Sequence, residues 1–374
     1  MTADRTSGAP GTRGTPGAPE ALRIRGVVLP SGEHRDLYVV DGLITTTPVA
    51  GATLVAEGWV VPGLVDAHCH IGLGPDGAVD DDETERQALT DRDAGTLLAR
   101  DCGVAADTRW IDEREDLPRI IRAGRHLARP KRYIRNYGVE VEPDELPEAA
   151  LHQARRGDGW VKVVADWIDR DTGDLAPLWP QDVLARTVAA VHEAGARVTV
   201  HTFDEVAVRQ AVAAGVDCVE HGTGLDAGTI EAMAAGGVAL VPTLINVDTF
   251  PSIAERAERF PAYAEHMRRL HATSRGVVRD AVEAGVPVFA GTDAGGSLAH
   301  GRVVDEVVEL AAAGLGLAGA LGAASWGARD WLHQHSALED GDPADLVVYA
   351  GDPRTDLAVL RTPARIVLRG RVVA

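Results

Sequence analysis

The chain has 374 residues and a formal net charge of −19, from 56 Asp and Glu against 37 Lys and Arg. With 45% hydrophobic and 25% charged residues, its composition is that of an ordinary globular protein, not of a disordered or fibrous one. The acidic balance argues against nucleic acids and anionic membrane surfaces as partners, because both are bound mainly through Lys and Arg.

The location of the protein is inferred from its cysteines and its apolar stretches. Cys69, Cys102 and Cys218 form no C-x-x-C pattern and are odd in number, which favours a reducing, cytoplasmic compartment. No apolar segment flanked by positive charge begins the sequence, so no secretory signal is expected. The uncharged stretch 310–328 is mostly Ala and Gly, and we predict a buried helix there instead of a membrane span.

The two ends of the chain differ from its middle in composition and in the pattern of their apolar residues. Residues 1–19 are Thr, Gly, Ala and Pro with almost nothing to bury, and they are predicted to form a disordered tail. Short alternating strands are predicted in 20–61 and again in 338–374, where the sequence reads ADLVVYAGDP and ARIVLRGRVVA. Neither piece is large enough to be stable alone, so one small β domain assembled from both ends is predicted.

Between these ends, in residues 62–337, Ala-rich helices alternate with short apolar strands. A Gly, such as Gly215 or Gly236, is predicted to end each helix in the left-handed conformation in EAGARVTVHT, AAGVDCVEHG, AAGGVALVPT and EAGVPVFAGT. Further strands are predicted in VPGLVDAHCH, RDCGVAADTR, KRYIRNYG and GWVKVVADW. Eight such units favour a (β/α)₈ barrel over the alternative, a doubly wound sheet. No G-x-G-x-x-G follows the first strand, so no dinucleotide site is predicted.

Polar side chains stand at the ends of four predicted strands. His68 and His70 are two residues apart and therefore point to the same side of one strand, while His201, His221 and Asp293 end three others. In a barrel these strand ends meet at one mouth. A single buried His is usually satisfied by the core, but leaving this many polar groups unpaired would cost about 1–3 kcal/mol each. A metal site is therefore the preferred interpretation.

Lys162 is unusual because 35 of the 37 basic residues are Arg. It lies within the apolar strand WVKVVADW, where burial is expected to lower its pKa. A neutral amine can react with CO₂ to give a carbamate that bridges two metals, or form a Schiff base with a carbonyl substrate. Arg can do neither, since it is always charged. The alternative, a lysine that extends to the strand end, is disfavoured by the residues that follow in 163–166.

Taken together, these motifs resemble the metal-dependent amidohydrolase superfamily, and within it the imidazolonepropionase-like and Xaa-Pro-dipeptidase-like hydrolases. The resemblance spans residues 22–374 and is carried by VVPGLVDAHCHIG, VKVVAD, VTVHT, CVEHGT, AGTDAG and LEDGDPADLVVYAGDP. It implies an α/β fold, a (β/α)₈ TIM barrel with a small β-sandwich formed from both chain ends. Dimers are common among such proteins, so a homo-oligomer is a further expectation.

The resemblance also implies a reaction and its residues. Two divalent cations, expected to be Zn²⁺, would be held by His68, His70, Lys162, His201, His221 and Asp293. Carboxylated Lys162 would bridge the metals, and a metal-bridging hydroxide would attack an amide-type C–N bond of a small molecule. The substrate classes are dipeptides, N-acyl amino acids and cyclic amides. Asp293 would act as general base and then as general acid.

Substrate contacts are expected from two further residues. Phe203, in HTFDE, takes the place of the His-Gly or aromatic element that dipeptide-cleaving relatives often have, so a hydroxyl contact is lost there. His300 lies in the loop after the last predicted barrel strand. The acidic loop GPDGAVDDDETE would favour a cationic substrate unless it is simply solvated. Arg125 and His126 are assigned no role.

Three alternatives remain open from the sequence. A mononuclear cyclic-amide hydrolase or deaminase of the same superfamily would use one metal and a free Lys162. A Schiff-base lyase would also use Lys162, but it leaves the His cluster unexplained. A non-catalytic barrel would be expected to have lost some of the ligands, and all six are present.

Overall fold

The structure is a computed structural model and describes residues 21–374. The predicted tail at 1–19 lies outside the described residues, as does residue 20. The strands of the described part are, in chain order, β1 (Leu22–Val28), β2 (Glu33–Val40), β3 (Leu43–Thr45), β4 (Thr53–Pro62), β5 (Leu64–Cys69), β6 (Leu73–Gly74), β7 (Gly77–Ala78), β8 (Thr96–Asp101), β9 (Arg119–Arg122), β10 (Leu127–Ala128), β11 (Val139–Glu140), β12 (Trp160–Val164), β13 (Asp166–Asp169), β14 (Asp174–Pro177), β15 (Arg197–Thr202), β16 (Cys218–His221), β17 (Ala239–Val241), β18 (Leu346–Tyr349), β19 (Arg365–Leu368) and β20 (Arg371–Val372).

The α-helices of the same residues follow the strands in alternation through most of the chain. They are α1 (Asp81–Asp93), α2 (Leu146–Arg156), α3 (Gln181–Glu193), α4 (Glu205–Ala214), α5 (Ala227–Gly236), α6 (Leu244–Val247), α7 (Phe250–Glu255), α8 (Pro261–Glu283), α9 (Val303–Leu310), α10 (Gly316–Ala323) and α11 (Trp326–Trp331). Short 3₁₀ turns occupy Arg109–Glu113, Pro143–Glu145 and Leu357–Arg361, and a π turn over Ala311–Leu315 joins α9 to α10.

The two chain ends meet in one sheet of seven strands, in the order β20-β19-β18-β4-β1-β2-β3. The central contact is antiparallel, between β4 from the first end and β18 from the other, with Val60 opposite Val348. Ile24, Leu37 and Leu346 are buried on one side of this sheet and form its own apolar core. The exact domain boundaries and the closing of this sheet into a sandwich remain predictions.

The middle of the chain forms parallel sheets, as expected for strands joined by helices. One sheet has the order β5-β8-β9, and the other has the order β11-β10-β12-β15-β16-β17. Residues 288–294, called the eighth segment below, lie between them. Val288 bridges Leu240 of β17, and Ala294 bridges Cys69 of β5, both in parallel orientation. The eighth segment thus connects the last strand of one sheet to the first strand of the other.

Three sequence predictions in this region require correction. KRYIRNYG, residues 131–138, is not a strand, because Lys131 (φ 61°) and Asn136 (φ 68°) have left-handed backbone that a strand cannot contain. β9 and β10 take that place in the order of strands. RDCGVAADTR is mostly loop, since β8 ends at Asp101 before Gly103 turns away at φ 118°. EAGVPVFAGT forms only isolated bridges.

The glycine at the end of α5 is also shifted by one residue from the prediction. Gly215 ends α4 in the left-handed conformation (φ 86°), as predicted. Gly236 is instead the last helical residue of α5, and Gly237 adopts the left-handed conformation (φ 65°). Two consecutive glycines make both positions available, and the helix continues by one residue.

The helical run Val303–Ala323 is long and apolar enough, by length and composition, to cross a membrane. Core helices of globular proteins share this length and composition, so the run is weak support for a membrane span. Within the described residues this run is interrupted at Gly314 (φ 130°), and Val307, Leu310 and Ala313 belong to the main apolar core. The buried helix predicted over 310–328 is instead divided into the π turn, α10 and α11, and it is buried only in part, since residues 320–323 are buried and Leu317 is 42% exposed.

Glu306 of α9 fixes the turn that follows β17. Its carboxyl group is fully buried and accepts hydrogen bonds from Leu244 N and Ile245 N, each at 2.9 Å. These N–H groups open α6 and have no acceptor within that helix. Burial raises the pKa of Glu306 to about 8. The first turn of α6 therefore depends on a side chain from a distant helix.

Replacing Glu306 by Ala is expected to lower the free energy of unfolding by about 2–4 kcal/mol, because two buried N–H groups lose their acceptor. Urea unfolding of the metal-free protein measures this change. The pKa of Glu306 is about 8 when folded against an ordinary 4.5, so its stabilising contribution is complete below pH 4.5 and is lost as the pH rises through 8. Between about pH 5 and 8, the wild type should therefore lose stability relative to Glu306→Gln. If the difference in unfolding free energy between the wild type and Glu306→Gln stays constant over this pH range, the raised pKa of Glu306 is contradicted.

Candidate metal centre

The structure brings the strand-end ligands of β5 and the eighth segment into direct contact. His68 Nε2 lies 2.9 Å from Asp293 Oδ1, and His70 Nε2 lies 3.0 Å from the same oxygen. The two imidazole nitrogens are 3.2 Å apart. Asn246 Nδ2 donates to the other carboxylate oxygen, Asp293 Oδ2, at 2.7 Å. Three potential ligand atoms thus converge on one point.

The hydrogen bonds of His70 show which of its ring nitrogens faces Asp293. His70 Nδ1 lies 2.9 Å from the carbonyl oxygen of Gly103, which can only accept, so Nδ1 carries the proton. His70 Nε2 then faces Asp293 Oδ1, and a proton or a metal ion shared by the two atoms would offset the repulsion between their lone pairs. An outer carbonyl that fixes the imidazole in this way is the usual support of a metal-binding His.

A second pair of histidines adjoins the first group. His201 Nδ1 lies 2.9 Å from His221 Nε2, and His221 Nδ1 lies 2.7 Å from Thr243 Oγ1. His201 Nε2 is buried and has no hydrogen-bond partner among residues 21–374. The His68 and His221 rings are 5.3 Å apart between centroids. The two histidine pairs therefore form one continuous set of ligands, in which His201 Nδ1 and His221 Nε2 converge as the Nε2 atoms of His68 and His70 do.

Unusual backbone conformations turn these side chains inward. His221, Thr243 and Asp293 all have positive φ, at 63°, 46° and 58°. His221 ends β16, Thr243 follows β17 and Asp293 lies in the eighth segment, and such a conformation costs about 1–3 kcal/mol for a residue other than Gly. At His221 it breaks the alternation of the strand, so that Glu220 and His221 both reach the interior. Strain at three neighbouring strand ends is typical of a functional site.

Lys162 lies in a charged layer beneath the histidines. Its ammonium group contacts Glu220, whose other oxygen accepts a hydrogen bond from Thr199 Oγ1 at 2.7 Å. Arg100 and His68 Nδ1 lie 3.7 and 3.6 Å from Glu220 Oε1. Lys162 and Glu220 are 1% and 0% exposed, and burial lowers the pKa of Lys162 to about 8. The predicted burial of Lys162 is confirmed, and the structure adds Glu220 as its partner.

Burial also determines the protonation of the ligands. It lowers the pKa values of His68 and His201 well below their ordinary value, and that of His221 to about 3. These rings are therefore neutral and have a lone pair to offer a metal. Burial opposes ionisation of Asp293, but His68 and His70 beside it hold its pKa well below the ordinary value. The neutral imidazoles of His68, His201 and His221, together with the carboxylate of Asp293, are a donor set suited to Zn²⁺.

A cavity of about 500 Å³ opens onto this centre. His70, His201 and Asp293 lie in its lining, so that both halves of the ligand set face the same space. Aromatic rings cover much of the remaining wall, from Tyr133, Tyr137, Trp167, Phe203, Phe250 and Tyr263. This volume is within the range of about 300–1,000 Å³ of small-molecule sites.

The sequence profile of the Amidohydrolase family matches residues 59–373. The chain belongs to the amidohydrolase family. Uncharacterized proteins of Mycobacterium tuberculosis and Mycobacterium bovis are 56% identical to this amidohydrolase over 352 residues, which cover 94% of its chain and 95% of theirs. A solved Xaa-Pro dipeptidase with bound methionine has a TM-score of 0.79 at 21% identity, covering 94% of this chain and 99% of that one. For A. niger ochratoxinase the TM-score is 0.76 at 19% identity, with 95% and 96% covered.

Family membership identifies the protein as a hydrolase that acts on carbon–nitrogen bonds, and it implies a TIM-barrel fold. The structural neighbours share that fold. The family generally uses divalent metals, and within the described residues His68, His221 and Asp293 offer three ligand atoms within 4.8 Å of one another. The resemblance inferred from the motifs is confirmed by the family match.

The two predicted substrate contacts of this amidohydrolase have different positions. Phe203 lines the cavity, with its ring 4.4 Å from that of His201, and its N–H donates to Asp166 Oδ2 at 2.7 Å. His300 is not part of that lining; its Nδ1 pairs with Asp91 Oδ2 of α1 at 2.8 Å. The structure therefore brings Phe203 to the metal centre and does not bring His300 there.

The acidic loop has a local explanation. Asp80 caps α1 by accepting a hydrogen bond from Glu83 N at 2.9 Å, and Asp81, Asp82 and Glu83 form the first turn of that helix. Negative charge at a helix N-terminus is stabilised by the helix dipole. None of these carboxylates lines the cavity.

Sequence reasoning did not assign a role to several residues around the centre. His126 is fully buried, neither ring nitrogen has a hydrogen-bond partner within residues 21–374, and its ring is 5.0 Å from that of His70. Tyr133 and Tyr137 were placed in a strand that does not exist. Glu220 directly precedes His221, and a charged residue inside the apolar run DCVEH was the available signal for it.

Replacing Glu220 by Ala is expected to cost about 3–5 kcal/mol of unfolding free energy, because it leaves Lys162 and Arg100 buried without a counter-charge. Urea unfolding of the metal-free protein gives this value. Glu339, which is 55% exposed and paired with Arg35, is the matched control, and its replacement by Ala should cost about 0–1 kcal/mol. Equal losses in the two variants would show that Glu220 does not balance the buried charges.

Proposed function

We propose that this amidohydrolase is a binuclear metal-dependent enzyme that hydrolyses an amide-type C–N bond of a small molecule. The observation that carries the proposal is the convergence of His68 Nε2, His70 Nε2 and Asp293 Oδ1, all within 3.2 Å of one another at the floor of the cavity. We also infer that the two parallel sheets form a closed (β/α)₈ barrel, with a β-sandwich built from the chain ends, and that the enzyme is cytoplasmic.

The ligands would be divided between two cations. His68, His70 and Asp293 would hold one, and His201 and His221 the other, with a carboxylated Lys162 shared between them. When bound, divalent cations acidify water and polarise a carbonyl group. His201 Nδ1 and His221 Nε2 lie 2.9 Å apart, and these are the two nitrogens that would face the second cation.

The chain's own groups would handle the proton and the substrate. Asp293 would accept a proton from the attacking water and return it to the leaving nitrogen. Asn246 orients the carboxylate by donating to its Oδ2 atom. The net reaction breaks the C–N bond and forms a C–O bond, with water supplying the hydroxyl to the acyl group and a proton to the amine.

The solved structures that share the fold include a Xaa-Pro dipeptidase and an ochratoxinase. The first name supports dipeptides as the substrate class to be tested first, with the N-acyl amino acids and cyclic amides expected from the sequence tested beside them. The aromatic cavity, with a volume of about 500 Å³, suits a small molecule and not a folded protein.

A second candidate is a mononuclear enzyme of the same family. The observation that favours it is the contact between Lys162 and the carboxylate of Glu220. The ion pair with Glu220 stabilises the charged form of Lys162. A carbamate forms only from the neutral amine, so this contact would first have to break. In this case Lys162 would remain free, and one cation would lie among His68, His70 and Asp293, with His221 close enough to join them.

Metal analysis distinguishes the two candidates. Protein reconstituted with Zn²⁺ at saturating bicarbonate is expected to hold two equivalents per chain by plasma mass spectrometry, and His201→Asn should reduce this to about one. His34→Asn, which changes an exposed histidine of β2, should leave the content unchanged. One equivalent in the wild type at saturation would favour the mononuclear enzyme.

Activity measurements test the assigned residues. Asp293→Asn is expected to lower kcat/KM for the best substrate of a dipeptide and N-acyl amino acid screen by about 10²–10⁴-fold, because the proton acceptor is removed. Lys162→Ala should abolish hydrolysis and reduce the bound metal by one equivalent per chain. Lys131→Ala changes the other lysine, which is exposed, and should have no effect. Undiminished hydrolysis by metal-free Asp293→Asn protein would overturn the proposal.

A further inference from the structure

The cavity above the metal centre has an uneven distribution of charge. Apart from the candidate ligands His70, His201 and Asp293, Arg256 is the one charged side chain among the described residues that line it. The remaining lining is aromatic, aliphatic or uncharged polar. A substrate that enters this space therefore meets ligands at the floor, rings along the wall and a single positive charge.

The aromatic wall begins at the metal centre itself. The ring of Phe203 lies 4.4 Å from that of His201 and 4.7 Å from that of Phe250. On the other side Trp167 lies 5.5 Å from His201 and 4.8 Å from Tyr133. These separations are those of packed aromatic pairs. A ring on the substrate would extend this wall, close to the bond that the metal centre cleaves.

The position of Phe203 is held firmly. Its N–H and that of Asp204 both donate to the buried Asp166 Oδ2, at 2.7 and 3.1 Å. Asp204 then caps α4 by accepting from Val206 N and Ala207 N. The segment that carries Phe203 is therefore anchored by its backbone. The ring forms a fixed apolar surface, and no hydroxyl group is available at that position.

Arg256 has a charge that the protein does not neutralise. It ends α7, is exposed, and forms no salt bridge within residues 21–374. Arg275, on the neighbouring helix α8, contrasts with it, since it pairs with Asp248 at 2.9 Å and Glu309 at 2.7 Å. A planar guanidinium group that faces a cavity without a partner is suited to a carboxylate on a ligand.

We propose that the substrate is an amide with a large aromatic group and a free carboxylate, such as an aromatic N-acyl amino acid. The aromatic group would pack on Trp167 and Phe203, and the carboxylate would lie toward Arg256. This inference rests on the proposed hydrolase function and narrows it. It disfavours neutral cyclic amides, which offer nothing to Arg256, and cationic substrates, which Arg256 would repel.

Three substrates test the proposal with the metal-reconstituted enzyme. N-benzoyl-L-phenylalanine has both the aromatic rings and the free carboxylate. Its carboxamide lacks the negative charge, and N-acetyl-L-alanine lacks the rings. Hydrolysis is followed by chromatography of the released acid. We expect the first to have the highest kcat/KM. In Arg256→Ala its KM should rise about 5- to 20-fold, the range for a partly exposed charged contact, with kcat little changed. The carboxamide should change less than about twofold, because it forms no ion pair with Arg256.

Two further variants control this measurement. Arg259→Ala removes an exposed charge from the same connection between α7 and α8 but not from the cavity lining, and should leave all constants unchanged. Arg256→Lys keeps the charge and should restore part of the affinity. An equal rise of KM for the carboxylate and the carboxamide in Arg256→Ala would overturn the proposal, as would an Arg259→Ala effect of the same size.

A binding experiment separates this inference from the proposed function. Calorimetry with N-benzoyl-L-phenylalanine on Asp293→Asn protein should give a Kd about 5- to 20-fold lower than on the double variant with Arg256→Ala. If this difference in Kd is found but the wild type hydrolyses no amide, the hydrolase function is rejected and the subsite is kept. Hydrolysis of amides by the wild type without such a difference would keep the function and reject the subsite.

Discussion

The structure depends on how a small number of charges are neutralised where water does not reach them. Lys162, Glu220 and Arg100 are almost completely buried in the interior of the parallel sheets, on β12, β16 and β8. An unpaired charge there would cost several kcal/mol, so each strand must place its charged residue against the others. This requirement fixes three strands relative to one another. Since Glu220 Oε1 also lies 3.6 Å from His68 Nδ1, the same layer supports the metal centre from below.

The mouth of the site is supported from outside by contacts that offset its strained backbone. His221, Thr243 and Asp293 have positive φ, and each is held by a neighbour. Thr243 contacts His221, Asn246 contacts Asp293, and Glu306 of α9 holds the start of α6, between these two contacts in sequence. The first turn of α6 thus orders both halves of the ligand set. A substitution of Glu306 on α9 would therefore alter the positions of the ligands His221 and Asp293.

The sequence predicted those features that follow from local pattern. The strand-end histidines, Asp293 and the burial of Lys162 could be derived because period-two alternation and parallel topology place strand ends together. KRYIRNYG could not be recognised as a turn, since the left-handed conformations of Lys131 and Asn136 depend on tertiary contacts. Glu220 was overlooked because alternation allows only one of two consecutive residues to face inward, and the positive φ of His221 breaks that rule.

Net charge is a poor guide to the substrate of this enzyme. The chain carries −19, and the densest acidic run lies near the barrel mouth in sequence, which suggested a cationic substrate. In the folded chain those carboxylates build the first turn of α1, and solvent with a Debye length of about 8 Å screens such exposed groups. Arg256 is itself exposed, but it belongs to the cavity lining, so a bound ligand would contact it directly, whereas the acidic groups of α1 lie outside that lining. The charge that a ligand meets is therefore set by the lining and not by the sum over the chain, and in the proposed subsite that charge is the guanidinium group of Arg256.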